Sequence, residues 1–87
     1  MNYNKPLPKP EDLNRFANAV DTFPISVQRT VNIARTLGYK NDLIEFLKLF
    51  SGEFESRADL YARTTELVLL IREENKQPGE GMLSQQD

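Results

Sequence analysis

Residues 23–56, FPISVQRTVNIARTLGYKNDLIEFLKLFSGEFES, decide how this chain folds. At each end an aromatic leads through a short extended segment into a Ser, as Phe23-Pro24-Ile25-Ser26 and as Phe54-Glu55-Ser56. Pro24 biases Phe23 to extended backbone, and a Ser hydroxyl accepts from one of the unpaired N–H groups that open a helix. Val27, Val31, Ala34 and Leu37 then form one buried helical face, with Ile33 at its margin. Gly38 is placed to be the left-handed residue past that helix, and Tyr39 the apolar residue that folds back on its last turn. Asn41 caps the next helix with Asp42 in its first turn, and Leu43, Phe46, Leu47 and Phe50 recur at i, i+3, i+4 and i+7. Ser51-Gly52 closes it. Polar and apolar residues alternate in Glu53-Phe54-Glu55, which aims Phe54 inward. Ser56 and Asp59 make a capping box with Asp in the usual Glu slot.

Outward from this stretch the pattern predicts one more helix on each side. Pro10 suits a first helical position, Glu11 and Asp12 add negative charge to that turn, and Leu13, Phe16, Ala17 and Val20 form a stripe. After Ser56 one long helix runs on to about residue 75. The fold class expected is all-α: four helices at about 10–20, 27–37, 42–50 and 57–75, with 21–25 and 53–55 placed to pair as a minimal two-strand bridge. Phe23 and Phe54 would then seal one end of the core. The expected core is Leu13, Phe16, Val20, Phe23, Val27, Val31, Ala34, Leu37, Leu43, Leu47, Phe50, Phe54, Leu60, Thr64, Leu67 and Ile71.

Residues 10–76 form the single helical domain in this reading. Residues 1–9 carry Pro6 and Pro8, which disfavour helix; the alternation fits a Pro-rich ligand for an aromatic groove, and more simply a flexible extended terminus. Residues 77–87, with Pro78, Gly79 and Gly81, read as a disordered tail.

Composition narrows the chemistry. The 87 residues carry 11 basic and 13 acidic side chains, a net charge of -2, with neither Cys nor His. The balance argues against a surface built to neutralise nucleic acid. Without Cys there is no disulfide or thiolate, and without His the commonest general base and metal ligand is missing. The longest apolar run, Leu67 to Ile71, cannot span a bilayer, so a cytoplasmic protein with no membrane association is expected. The four glycines are isolated at 38, 52, 79 and 81, so no phosphate loop exists. Glu53 and Glu55 share one face of an extended segment, but two carboxylates make a weak cation site, and solvated charges flanking an inward Phe54 are the simpler account. The reading is therefore not an enzyme: no catalytic, cofactor-binding or metal residue and no cofactor is assigned, and whether a small molecule binds is left open. For the arginines, Asp59 with Arg63 and Glu66 or Glu73 with Arg72 suggest helix-surface ion pairs.

Two interaction readings remain. On the long helix, Leu60, Thr64, Leu67 and Ile71 share a stripe, with Tyr61 and Val68 beside it; Leu70 lies on the other flank and Leu69 points almost directly away. Tyr61, Leu69 and Leu70 are the candidate residues for a protein partner or for self-association as a homodimer. The alternative is a DNA-binding helix-turn-helix, suggested by Ala34-x-x-x-Gly38 followed by Ile44 and Leu47, in which Lys40, Asn41 and Lys48 would meet DNA. Asp42 and Glu45 on the same helix oppose that reading, and a helix hairpin closed by glycine has the same spacing for packing reasons alone.

From Val20 to Arg63, Phe23-Pro24, Ser26, Ala34, Gly38, Asp42, Leu43, Leu47, Phe54, Ser56, Ala58 and Asp59 form a pattern. It resembles that of a small bacterial domain family of unknown function. The resemblance implies a helical fold and no catalytic residue. One departure stands out: where that pattern has an acid three residues after the first Ser, this chain has Arg29. The reciprocal half of a capping box is lost and a cation sits near a positive helix end, at a cost of about 0.5–1 kcal/mol. The start of the second helix is therefore expected to fray, unless Asp59 or Glu55 holds Arg29.

Overall fold

A computed structural model describes residues 3–76, and four helices account for most of them. Helix α1 is Pro10–Ala19, α2 is Val27–Thr36, α3 is Asn41–Leu47 and α4 is Arg57–Lys76; β1, Ile25–Ser26, pairs antiparallel with β2, Glu53–Phe54. α1 packs chiefly on α4 and α2 on α3, while the two-strand ribbon ties the start of α2 to the start of α4. The all-α reading with a minimal bridge therefore holds, with shifts that have local causes. The tail reading for 77–87 concerns residues outside those described.

The bridge is displaced toward the chain's second helix. Residues 22–24 form a bend around a cis Phe23–Pro24 peptide, and pairing begins only at Ile25. Pro24 has no N–H to donate, so the ladder starts after it. In consequence Ile25, not Phe23, lies opposite Phe54, and Ser26 lies opposite Glu53. Ile25 and Phe54 are buried, while Phe23 is half-buried beneath the guanidinium of Arg57, 5.8 Å from its ring centre.

Both Ser caps form. Ser26 Oγ accepts from the Arg29 N–H at 3.2 Å, and Ser56 Oγ accepts from the Asp59 N–H at 3.1 Å. The Asp59 carboxylate reaches one residue further back than a capping box requires, accepting from the Glu55 N–H at 2.9 Å. Asp59 also pairs with Arg63 at 3.6 Å. Arg29 is not held by Asp59 or Glu55; its side chain is exposed and makes no ion pair among the described residues. The start of α2 is tied down instead from the ribbon, where the Val27 N–H donates to the Gly52 carbonyl at 3.0 Å.

The end of α2 is a complete glycine cap. Gly38 has φ 80°, its N–H donates to the Arg35 carbonyl, and the Tyr39 N–H donates to the Ala34 carbonyl at 3.0 Å. Tyr39 folds back as expected, but onto α1: its ring meets Phe16 edge-on at 5.4 Å. Leu37, expected in the core, is instead 54% exposed. It is the C-cap residue, and the left-handed turn after it sends Tyr39 rather than Leu37 toward α1. α3 starts at Asn41, with Lys40 as its cap residue, and ends at Leu47. Its expected last turn, through Phe50, tightens: the Leu49 and Phe50 N–H groups donate three residues back, to Phe46 and Leu47.

Tyr3, Phe46, Phe50 and Phe54 form a run of edge-on contacts, with ring centres 6.4, 5.6 and 5.4 Å apart. Each such pair contributes about 0.5–1.5 kcal/mol beyond its buried area. Arg63 closes the run, its guanidinium 4.7 Å from the Phe54 ring centre and donating to the Glu53 carbonyl at 2.8 Å. Phe50 and Leu67, placed in the core by sequence, are half-buried; Tyr3, Ala17, Ile25, Thr30, Ile44, Phe46 and Val68 are buried in addition to those expected. Thr30 and Thr64 are fully buried without penalty, since each hydroxyl donates to a carbonyl of the preceding turn of its own helix.

The flexible terminus expected for residues 1–9 is not what residues 3–9 show. Tyr3 and Pro8 are buried, Leu7 packs against the core, and Lys5 Nζ donates to Glu45 at 2.9 Å. The segment is a strap laid across α3, with a bend at Lys5.

Candidate functional site

α4 buries Leu60, Thr64, Val68 and Ile71, with Leu67 half-buried beside them. Val68 takes the place expected for Leu67: it lies one turn past Thr64 on the same side, and Leu67 falls to the flank. The opposite faces are open. Leu69 is 55% exposed and Leu70 56%. Exposed Glu66, Arg72 and Glu73 lie one turn away on either side, so the two leucines sit as an apolar pair in a mixed-charge rim.

Tyr61, 38% exposed, lies two turns earlier on α4. Nine residues separate it from Leu70, which on an α-helix is half a rotation as well as about 13 Å of rise. Around the helix Leu69 lies between the other two, about 80° from Tyr61 and about 100° from Leu70, with Tyr61 about 12 Å nearer the start of α4.

The residues named for DNA, Lys40, Asn41 and Lys48, are all exposed. Lys40 and Asn41 stand at the start of α3 and Lys48 just past its end. Lys48 Nζ is bound to Glu45 at 2.9 Å, and Lys5 binds the other oxygen of the same carboxylate. These two ammonium groups hold the Glu45 pKa down to about 2, the hydrogen bond from Lys5 contributing most. α3 buries Leu43, Ile44, Phe46 and Leu47, and the N-terminal strap crosses what is left: Pro6 and Lys5 share a small hollow with Asn41, Asp42 and Glu45. Asn41 and Lys48 remain exposed at the ends of this short helix, with Asp42 and Glu45 beside them as negative charge that opposes a phosphate backbone.

Two open hollows flank Leu37, which forms the ridge between them. The larger, about 510 Å³, lies between α1 and the glycine turn, with Asp12, Arg15, Tyr39 and Lys40 on its walls. Asp12 and Arg15 face each other at 3.8 Å. The smaller, about 330 Å³, is lined by Arg29, Asn32, Ile33 and Thr36 of α2. Sequence reading missed both because they depend on Leu37 leaving the core. Glu53 and Glu55 are exposed around buried Phe54, and no group of three or more Asp or Glu placed to hold a metal ion occurs among the described residues. No helix of the described residues is long and apolar enough to cross a membrane.

Comparison with family models, curated proteins and solved structures finds no match to this chain.

Proposed function

We propose that this protein is a small non-catalytic interaction module that acts through the outer surface of α4. The observation carrying this reading is the Leu69–Leu70 pair: two adjacent leucines, each more than half exposed, on a helix whose buried side is already satisfied by Leu60, Thr64, Val68 and Ile71. A single solvated leucine is ordinary, but two neighbours within a charged rim match the apolar centre and polar border of a protein interface. A second copy docking through the same leucines gives a symmetric homodimer, the commonest assembly; a different protein docking there gives a regulatory contact.

Light scattering of wild type and Leu69→Glu over a concentration series separates the outcomes. A wild type heavier than one chain, reduced to a monomer by the substitution with unchanged melting, supports self-association. A monomeric wild type that loses a co-purifying protein on substitution supports a partner. A monomer whose stability and co-purifying proteins are both untouched by Leu69→Glu removes the reading. DNA binding is a separate claim with a separate measurement, and absence of duplex retardation at micromolar protein and low salt disposes of it.

A further inference from the structure

The N-terminal strap is held differently from everything else in the fold. Tyr3 is 8% exposed with its ring edge-on to Phe46, Lys5 is bound to Glu45, and Leu7 and Pro8 lie against the core. Yet no backbone hydrogen bond among the described residues joins 3–8 to a helix or strand. All of its attachment is through side chains. Tyr3 Oη is buried with no hydrogen-bond partner among the described residues, a defect at its deepest anchor. The strap connects to the domain at one point, where extended Lys9 leads into Pro10 at the start of α1.

We propose that the face of α3 is a docking groove for an extended aromatic-x-Lys-Pro-Leu-Pro segment, filled in the monomer by residues 3–8 and, between two copies, by reciprocal exchange of those segments. The occupant follows from the contacts. Whatever Tyr3, Lys5 and Leu7 touch in their own chain, the same residues of a second copy touch equally well, because the contacts are between side chains and independent of the connection at Lys9. Exchange is then governed by concentration and by the ease of release. Missing backbone bonds and an unpaired hydroxyl make release easy. Proline at positions 6, 8 and 10 keeps the segment extended when free, so little ordering is lost on docking in trans.

The test uses a fluorescent peptide of residues 1–9 titrated into the full chain carrying Leu69→Glu, so that association through α4 does not contribute. The chain's own strap competes with the peptide, so weakening the strap must strengthen binding in trans. Tyr3→Ala in the protein is expected to tighten peptide binding at least about tenfold, and Lys5→Glu, which sets a like charge against Glu45, several-fold. Tyr3→Phe, which removes the unpaired hydroxyl, should weaken it. A peptide that itself lacks Tyr3 should not bind. Lys5→Glu alters only exposed groups, so it decides the matter if Tyr3→Ala does not fold. The proposal is overturned if the peptide fails to bind any folded variant, or binds all of them equally. It is also overturned if the peptide binds while the Leu69→Glu chain stays monomeric at millimolar concentration, since the groove would then serve another protein's segment.

Discussion

Arg57 offers the most direct test of how the fold is held. α1 ends without a glycine cap and without a basic residue in its last turn, so its final carbonyls lack partners from their own helix. Arg57, the first residue of α4, supplies them: Nε donates to the Ala17 carbonyl at 3.0 Å and Nη2 to the Val20 carbonyl at 2.9 Å. A hydrogen bond from a charged donor contributes about 1.5–3 kcal/mol when shielded. Arg57 is exposed and water can replace it, so about 1 kcal/mol each is the appropriate figure. Its placement over Phe23 adds about 0.5 kcal/mol. Removing a cation from the positive start of α4 returns about 0.3–0.5 kcal/mol. The net cost of Arg57→Met, which keeps the apolar stem, is therefore about 2 kcal/mol, or a fall of about 8–15 °C in Tm. Urea denaturation followed by circular dichroism should show a lower midpoint with an unchanged slope. Arg57→Lys should recover less than half, since an ammonium cannot reach both carbonyls in the fixed geometry of a guanidinium. An Arg57→Met chain within about 0.5 kcal/mol of wild type would refute the idea that α4 caps α1.

Three further outcomes follow from single sites. Gly38→Ala should cost about 1–2 kcal/mol in urea denaturation although an added Cβ meets nothing within 4 Å, because φ at 80° alone opposes a side chain; an unchanged midpoint would mean that the turn relaxes. Tyr3→Phe should raise stability by about 1 kcal/mol, since a buried hydroxyl without a partner is removed and its edge-on ring contact kept; a loss in the melting curve would show that the hydroxyl is satisfied. Glu45 is lowered from its ordinary 4.5 to about 2, so its two ammonium contacts contribute fully above about pH 4.5 and are lost as pH falls through about 2. The difference in Tm between wild type and Glu45→Gln should therefore shrink across that window, and a pH-independent difference would sink the assignment.

What the sequence made legible was whatever depends on residues within a turn of one another. Ser26, Gly38 and Ser56 act on backbone groups within three or four positions, and their roles read correctly from spacing alone. The departure at Arg29 was visible too, but its remedy was not. The Val27 N–H finds the Gly52 carbonyl across 25 residues, a pairing with no local sign. Arg57 and Arg63 read as surface cations because their partners are carbonyls and rings from other elements, and a carbonyl leaves no mark in the sequence. Leu37 and the strap failed for related reasons. Periodicity assigns Leu37 to the core face, yet its position as last residue before a left-handed turn decides its exposure. Proline at alternate positions marks residues 6–10 as extended, and extension was mistaken for freedom; Tyr3 and Leu7 are the anchors. On α4 the exposed leucines were legible because, among the described residues, the helix's core positions lie on its other side.

The length of α4 gives the interaction reading a physical basis beyond the two leucines. Its 20 residues extend about 30 Å, while the 10 residues of α1, its main neighbour, extend about 15 Å. The attachments of α4 are unevenly spread along that length: Ser56, Arg57, Asp59 and Arg63 all tie its first two turns to α1, to the ribbon and to the aromatic run. Past Thr64, only one side of the helix, Val68 and Ile71, is buried. A helix of this length forms weakly by propensity alone and draws its stability from packing, so its final turns depend on whatever covers their remaining sides. Leu69 and Leu70 lie there, exposed among the described residues. If a second molecule docks on that surface, the final turns of α4 should gain the most protection from amide hydrogen exchange and the first two turns the least. Uniform protection along α4 would place the contact elsewhere.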